Sequence, residues 1–94
     1  MEAHHRAALR RNVLLMDEKL SVYKVTLYLY QDNILSEDMV DAVLNSKYQI
    51  YELVRILTHR GPKAFQTFCD GLKFLGYVEI LERIKKTAAE EEGK

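Results

Sequence analysis

Between two strongly periodic apolar segments the chain runs Thr58-His59-Arg60-Gly61-Pro62-Lys63-Ala64-Phe65 with no linker. Before this junction Ile50, Leu53, Val54 and Leu57 stand at i, i+3, i+4 and i+7, and after it Phe65, Phe68, Leu72 and Leu75 repeat a helical spacing. Gly61 is free to take the positive φ that closes a helix, and Pro62, with φ already set and no amide hydrogen to lose, suits the first position of the next one. Two helices hinged so tightly leave no slack. The second must fold back on the first, and every other element has to pack around that corner.

The remaining segments read as helices too. From Ala3 to Leu20, the residues Leu9, Val13, Met16 and Leu20 lay one apolar stripe along a single helix. Val22 to Tyr30 is rich in β-branched and aromatic residues that would suit a strand, but the chain holds no second run to pair with it. With Ser21 as an N-cap and Asn33 able to end it in the left-handed conformation, this segment is also assigned to a helix. Ser36, followed by Glu37 and Asp38, opens a short acidic helix through Leu44. Ser46 and Gln49 have the spacing of a capping box at the start of the helix that reaches the junction. The last segment, Tyr77 to about Lys86, places Val78, Leu81 and Ile84 three apart, and from Ala88 the chain is expected to fray. The expectation is an all-α bundle of six helices over residues 1–87, with 88–94 a polar tail or the start of a linker to a further domain. Gly71 inside a helix implies close approach of a neighbouring helix.

Ninety-four residues, 48% apolar and 30% charged, suit one domain with one core. A single cysteine rules out an internal disulfide and, with no signal-peptide pattern, points to a reducing compartment, cytoplasmic or also nuclear. No apolar run reaches the roughly 18 to 20 residues of a membrane span, so no membrane partner is expected. The net charge of zero hides a segregation. Residues 1–11 carry three arginines against one glutamate, Asp17 to Asp41 carry six acids against two lysines, and residues 47–75 carry five basic residues against two acids. Such a chain can present one positive and one negative face, whereas a nucleic-acid binder normally shows a positive surplus.

Chemistry is sparse. Cys69 follows Phe68 in a core-facing helix with no histidine near it in sequence, and reads as a small buried hydrophobe rather than a nucleophile. His4, His5 and His59 lack a metal-ligand spacing, and the four glycines are too scattered for a phosphate loop. The expectation is therefore no catalytic residue, no cofactor and no metal.

The run Arg60-Gly61-Pro62-Lys63-Ala64-Phe65, with Thr67-Phe68 and Leu72 after it and Tyr28-Leu29-Tyr30-Gln31 and Ile34-Leu35 before it, resembles the caspase-recruitment domain (CARD) of the death-fold superfamily. The resemblance covers nearly the whole chain and is nearest to the CARD of an adaptor that also carries a death domain; the stretch Phe65 to Cys69 is also similar to an initiator-caspase prodomain. It implies a six-helix antiparallel bundle of Greek-key topology and a non-enzymatic role in apoptotic signalling. The implied partner is the CARD of an initiator caspase or of a caspase adaptor, with homotypic assembly. The family pairs a basic surface on the first and fourth helices with an acidic surface on the second and third. Carried onto this chain, the basic face is Arg6, Arg10, Arg11, Lys47 and Arg55. The acidic face is Asp32, Glu37, Asp38 and Asp41, with Asp17 and Glu18 nearby. The chain departs from the pattern at Val13, Leu27 and Tyr51, where some members place a charged contact residue. The alternatives are the prodomain of an initiator caspase and, in another class, a small helix-turn-helix nucleic-acid binder with Gly61-Pro62 as the turn.

Overall fold

The computed structural model of the chain describes residues 1–94 as seven helices and no strand. They are α1 (Ala3–Arg11), α2 (Val13–Lys19), α3 (Val22–Gln31), α4 (Glu37–Leu44), α5 (Gln49–Leu57), α6 (Ala64–Phe74) and α7 (Val78–Glu92). The count exceeds the expected six because the first segment breaks at Asn12. There the backbone leaves the helical region at φ −113°, ψ 16°. The Asn12 side chain, buried in the core, donates to the Ala8 carbonyl at 2.8 Å and to Thr87 Oγ1 at 3.1 Å. An amide buried among apolar groups must find such partners, and meeting both bends the helix.

The break directs two short helices to different neighbours: α1 lies along α7, whereas α2 packs on α5. The same contact explains the other end of the chain. Far from fraying at Ala88, α7 continues to Glu92, because α1 covers it and buries Thr87 and Ala88. Elsewhere α3 rests on α4 and α6, α4 on α5, and α6 on α7. Phe68, Leu9, Met16, Leu29, Leu53 and Ile84 are among the fully buried side chains at the centre, where truncating such a residue costs about 2–5 kcal/mol.

The strand-like segment forms α3 because Val25, Thr26 and Leu29 then face the core together. Ser21 Oγ accepts from the Lys24 amide at 3.4 Å, and Asn33 ends the helix at φ 64°, as the residue types imply. The amides of Asn33 and Ile34 return to the carbonyls of Tyr30 and Leu29, the paired bonds of a Schellman ending. Ser36 Oγ caps α4 by accepting from the Met39 amide. The capping box at Ser46 does not form. Instead Ser46 Oγ accepts from the Tyr48 amide two residues on, and Gln49 Nε2 donates to the Leu44 carbonyl, tying α5 to the end of α4.

The Gly61-Pro62 corner is built differently from the expectation. Gly76, at φ 85°, is the glycine that takes a positive φ, and it closes α6 through the Tyr77 amide on the Leu72 carbonyl and its own amide on that of Lys73. Gly61 has ordinary φ and open space where a Cβ would sit, and α6 starts only at Ala64. What holds the corner is Arg60. Its Nε donates to the Ile34 carbonyl at 2.8 Å, locking the end of α5 to the turn after α3. Gly71, in contrast, has the close neighbour expected: a Cβ there would stand 2.8 Å from Cδ1 of Tyr28 on α3.

Two comparisons by chemical denaturation follow. Gly76→Ala is expected to cost about 1–2 kcal/mol for left-handed strain, while Gly61→Ala is neutral or slightly stabilising; equal losses would contradict this account of the corner. Gly71→Ala is expected to destabilise the parent by about 1 kcal/mol through crowding. In a Tyr28→Ala background the same change is expected to gain about 1 kcal/mol through helix propensity.

Candidate functional site

Two surface depressions of opposite charge stand out, and each is built from two or three helices. The first lies where α1 and the start of α2 meet α5. Arg6 and Arg10 reach it from α1, Val13 from α2, and Tyr51 and Arg55 from α5, around a cavity of about 280 Å³. Arg6 and Arg10 share a face at i, i+4, and the break at Asn12 tilts that face toward α5 rather than along α2. Two of the three cations are held by neighbouring groups. Arg6 donates through Nη1 to the Met1 carbonyl, and Arg55 Nε donates to Glu52 one turn earlier, a contact that raises the guanidinium pKa further above its ordinary value. At the end of the groove His59 Nδ1 lies 2.9 Å from the Arg55 carbonyl. A carbonyl only accepts, so Nδ1 carries the proton and Nε2 is left to serve a partner. Tyr51 is 64% exposed, which decides the question its sequence position poses: the ring is available for contact rather than folded onto the core.

The second depression lies between α3 and α4. Leu27 and Tyr30 form one wall, Glu37, Val40 and Asp41 the other, around about 300 Å³. The Tyr30 hydroxyl donates to Glu37 Oε1 at 3.3 Å, which orients the carboxylate across the opening.

The structure brings together some of the residues expected on each face and separates others. Arg6, Arg10 and Arg55 converge. Lys47 sits beside them in an adjoining notch with Val13, Leu14, Tyr48 and Tyr51. Arg11 turns away toward α7, where Nη1 lies 4.0 Å from Glu91 and its neighbours are Arg83 and Lys86. Helical geometry decides this: consecutive residues project about 100° apart, so Arg10 and Arg11 cannot share a groove. On the acidic side Glu37 and Asp41 line the depression, whereas Asp32 and Asp38 are exposed outside its lining. Asp17 and Glu18 belong to α2, and Asp17 lines the notch with Lys47 rather than the acidic one. Arg60, counted in the third charge block, is spent on the fold.

What sequence reasoning missed is the apolar centre of each depression. Val13 and Tyr51 sit in the basic groove and Leu27 in the acidic one. Leu14, 83% exposed on α2, extends the apolar surface beside Tyr51. The available signal was that Leu14 falls off the apolar stripe of Leu9, Val13, Met16 and Leu20.

Cys69 is 3% exposed on α6, and burial pushes its thiol up to about 11. Glu2, His4 and His5 form a separate cluster at the start of α1. No helix is long and apolar enough to cross a membrane.

Comparison with known proteins adds two findings. Residues 6–87 match the family described as the caspase recruitment domain, CARD. Caspase-2 of Gallus gallus is 28% identical to the chain over 90 residues, covering 93% of this chain, which spans only 21% of that protein's length. No solved structure matches the chain.

The buried thiol gives a test. Native protein at pH 7.5 is expected to react with a thiol reagent many-fold more slowly than unfolded protein, since the thiolate is the reactive form. The unfolded thiol, at an ordinary pKa of about 9, ionises before the native one at about 11. Stability should therefore fall as pH rises between those values, by more in the parent than in Cys69→Ala.

Proposed function

The chain belongs to the caspase recruitment domain family, and on that premise we propose that it recruits an initiator caspase into an apoptotic assembly by binding another CARD. Members of this family are non-catalytic, homotypic interaction modules. Within that role, α1 and α2 together correspond to the first helix of a six-helix Greek-key bundle, broken at Asn12. The basic groove of Arg6, Arg10 and Arg55 receives an acidic edge like the one formed here by Glu37 and Asp41.

The observation that carries the reading is that both depressions combine a charged rim with an apolar floor. Rim charges orient the encounter and raise its rate, but a surface ion pair adds only about 0–1 kcal/mol. Desolvated aromatic and aliphatic centres supply most of the affinity in protein interfaces. Tyr51 with Val13, and Leu27 with Tyr30, occupy that central position on their respective faces. The nucleic-acid reading is less well supported, because the helix after the corner, α6, spends Phe65, Phe68, Cys69 and Leu72 on the core.

Within the family two placements remain: the CARD of an adaptor that continues into a second helical domain, and the prodomain of a caspase. The run Arg60 to Phe65 resembles the adaptor and the stretch Phe65 to Cys69 also the prodomain, while the similarity to a caspase-2 favours the prodomain. The coding sequence beyond Lys94 separates them, since a caspase continues into a catalytic domain with a histidine and a cysteine.

Binding to a caspase-2 CARD by size exclusion and titration tests the faces. Arg10→Glu, or separately Glu37→Lys, is expected to weaken association about tenfold or more, a change of about 1.4 kcal/mol. Arg11→Glu, which faces α7, should leave association near the parent value. The parent complex should also weaken at 1 M salt, where the screening length is about 3 Å. If both reversed proteins remain folded and bind like the parent, the two depressions are not the interface.

A further inference from the structure

We propose that Glu2, His4 and His5 form a binding site for a divalent transition-metal ion, zinc being the best fit, and that Glu92 completes it from the far end of the chain.

One carboxylate oxygen and two imidazole nitrogens at the start of α1 all lie within 4.8 Å of one another. His4 Nε2 is 3.5 Å from Glu2 Oε2 and 3.5 Å from Glu92 Oε2, and His5 Nδ1 is 3.8 Å from Glu2 Oε2. These separations are long for hydrogen bonds, which are about 2.7–3.2 Å between nitrogen and oxygen. Ligand bonds of about 2.0–2.1 Å imply donor–donor spacings of about 3.3–3.5 Å around a tetrahedral ion, which the two 3.5 Å separations meet and the 3.8 Å one slightly exceeds. Rotation of the exposed Glu2 and Glu92 carboxylates can adjust their distances to the imidazoles.

The donor set selects the ion. Two imidazoles and one or two carboxylates suit zinc and its spectroscopic substitute cobalt, whereas magnesium and calcium prefer oxygen alone. The imidazoles are partly organised in advance. The ring of His5 stacks flat on Phe65, with centroids 3.9 Å apart and planes 3° from parallel, and the His4 ring lies 4.1 Å from it. Phe65 is buried at the start of α6, so the stack fixes His5 against the core. Both histidine side chains are largely covered, while Glu2 and Glu92 remain open to solvent as an entry path.

Adjacent histidines lack a helical ligand spacing, and for that reason the sequence argued against a metal. The site exists because Glu2 precedes the helix and because α7 runs on to Glu92 instead of fraying. An ion there would fasten the start of α1, which carries Arg6 and Arg10, to the end of α7.

The test uses the full chain without a polyhistidine tag, treated with EDTA and then titrated with zinc chloride by calorimetry and thermal melting. One equivalent of zinc should bind and raise the melting temperature, and EDTA should reverse the rise. Cobalt should give the visible absorption of a four-coordinate ion, and magnesium should give neither effect. Glu2→Gln and His4→Gln should each weaken zinc binding at least about tenfold, the scale on which even supporting groups act. Glu92→Gln should weaken it less, and His59→Gln and Cys69→Ala not at all. Glu2 is exposed, so its variant tests the site without disturbing packing. The proposal is overturned if zinc does not bind, if Glu2→Gln and His4→Gln bind it as the parent does, or if binding is lost instead with His59 or Cys69.

Discussion

A buried amide that must be satisfied is the constraint on which the arrangement turns. Asn12 sits where a continuous first helix would keep its side chain among apolar groups, with no solvent to meet its two donors. The carbonyl of Ala8 and the hydroxyl of Thr87 supply acceptors, and Thr87 in turn donates to the Arg83 carbonyl one turn back along α7. This chain of bonds joins residues near the two ends of the sequence and breaks the first helix. Because of the break, α1 can lie along α7 while α2 turns to α5. The long reach of α7, the groove between α1 and α5, and the nearness of Glu2, His4 and Glu92 all depend on that division.

The division also sorts the charges. Arg10 and Arg11 are neighbours in sequence and members of one basic block, yet one lines the groove beside Tyr51 and the other faces Glu91. A block count treats them alike because it has no angular information. The apolar residues between the charges matter as much. Val13, Leu27 and Tyr51 give the two depressions surface that gains from leaving water. In this chain charge is better suited to directing an approach, and apolar contact to holding it.

Much of the fold was legible residue by residue. The periods of Ile50 to Leu57 and of Phe65 to Leu75 located α5 and α6, and Ser21, Asn33 and Ser36 marked ends that the backbone respects. The helix at Val22 could be argued because an unpaired strand leaves backbone groups unsatisfied, a rule that needs no coordinates. The readings that failed share a cause. The capping box at Ser46, the positive φ at Gly61 and the fraying at Ala88 were inferred from the residues on the spot, and in each case a partner on another element offered more. Gln49 found the Leu44 carbonyl, Arg60 found Ile34, and Thr87 found Asn12. At the candidate site Arg6, Arg10, Arg55, Glu37 and Asp41, all named from the sequence, line the two depressions, whereas Arg11 faces α7 and Asp32 and Asp38 lie outside them.

By itself the sequence determined the fold class, the family and the presence of two oppositely charged regions. The fold class and the charged regions follow from periodicity, capping residues and composition, which act over one or two turns of helix, and the family from the resemblance carried by the run Arg60 to Phe65 and its flanking residues. Even the Arg60-Gly61-Pro62 junction, the most constraining stretch of the chain, showed that a corner exists without showing what holds it. Only the tertiary structure decided that Arg60 holds it by bonding across 26 residues to the Ile34 carbonyl, with Gly61 relaxed. Only it decided which arginines share a groove and which histidines meet a carboxylate. The physical reason is that buried polar groups must be satisfied by whichever partner the packing brings near, and packing joins residues that are remote in sequence.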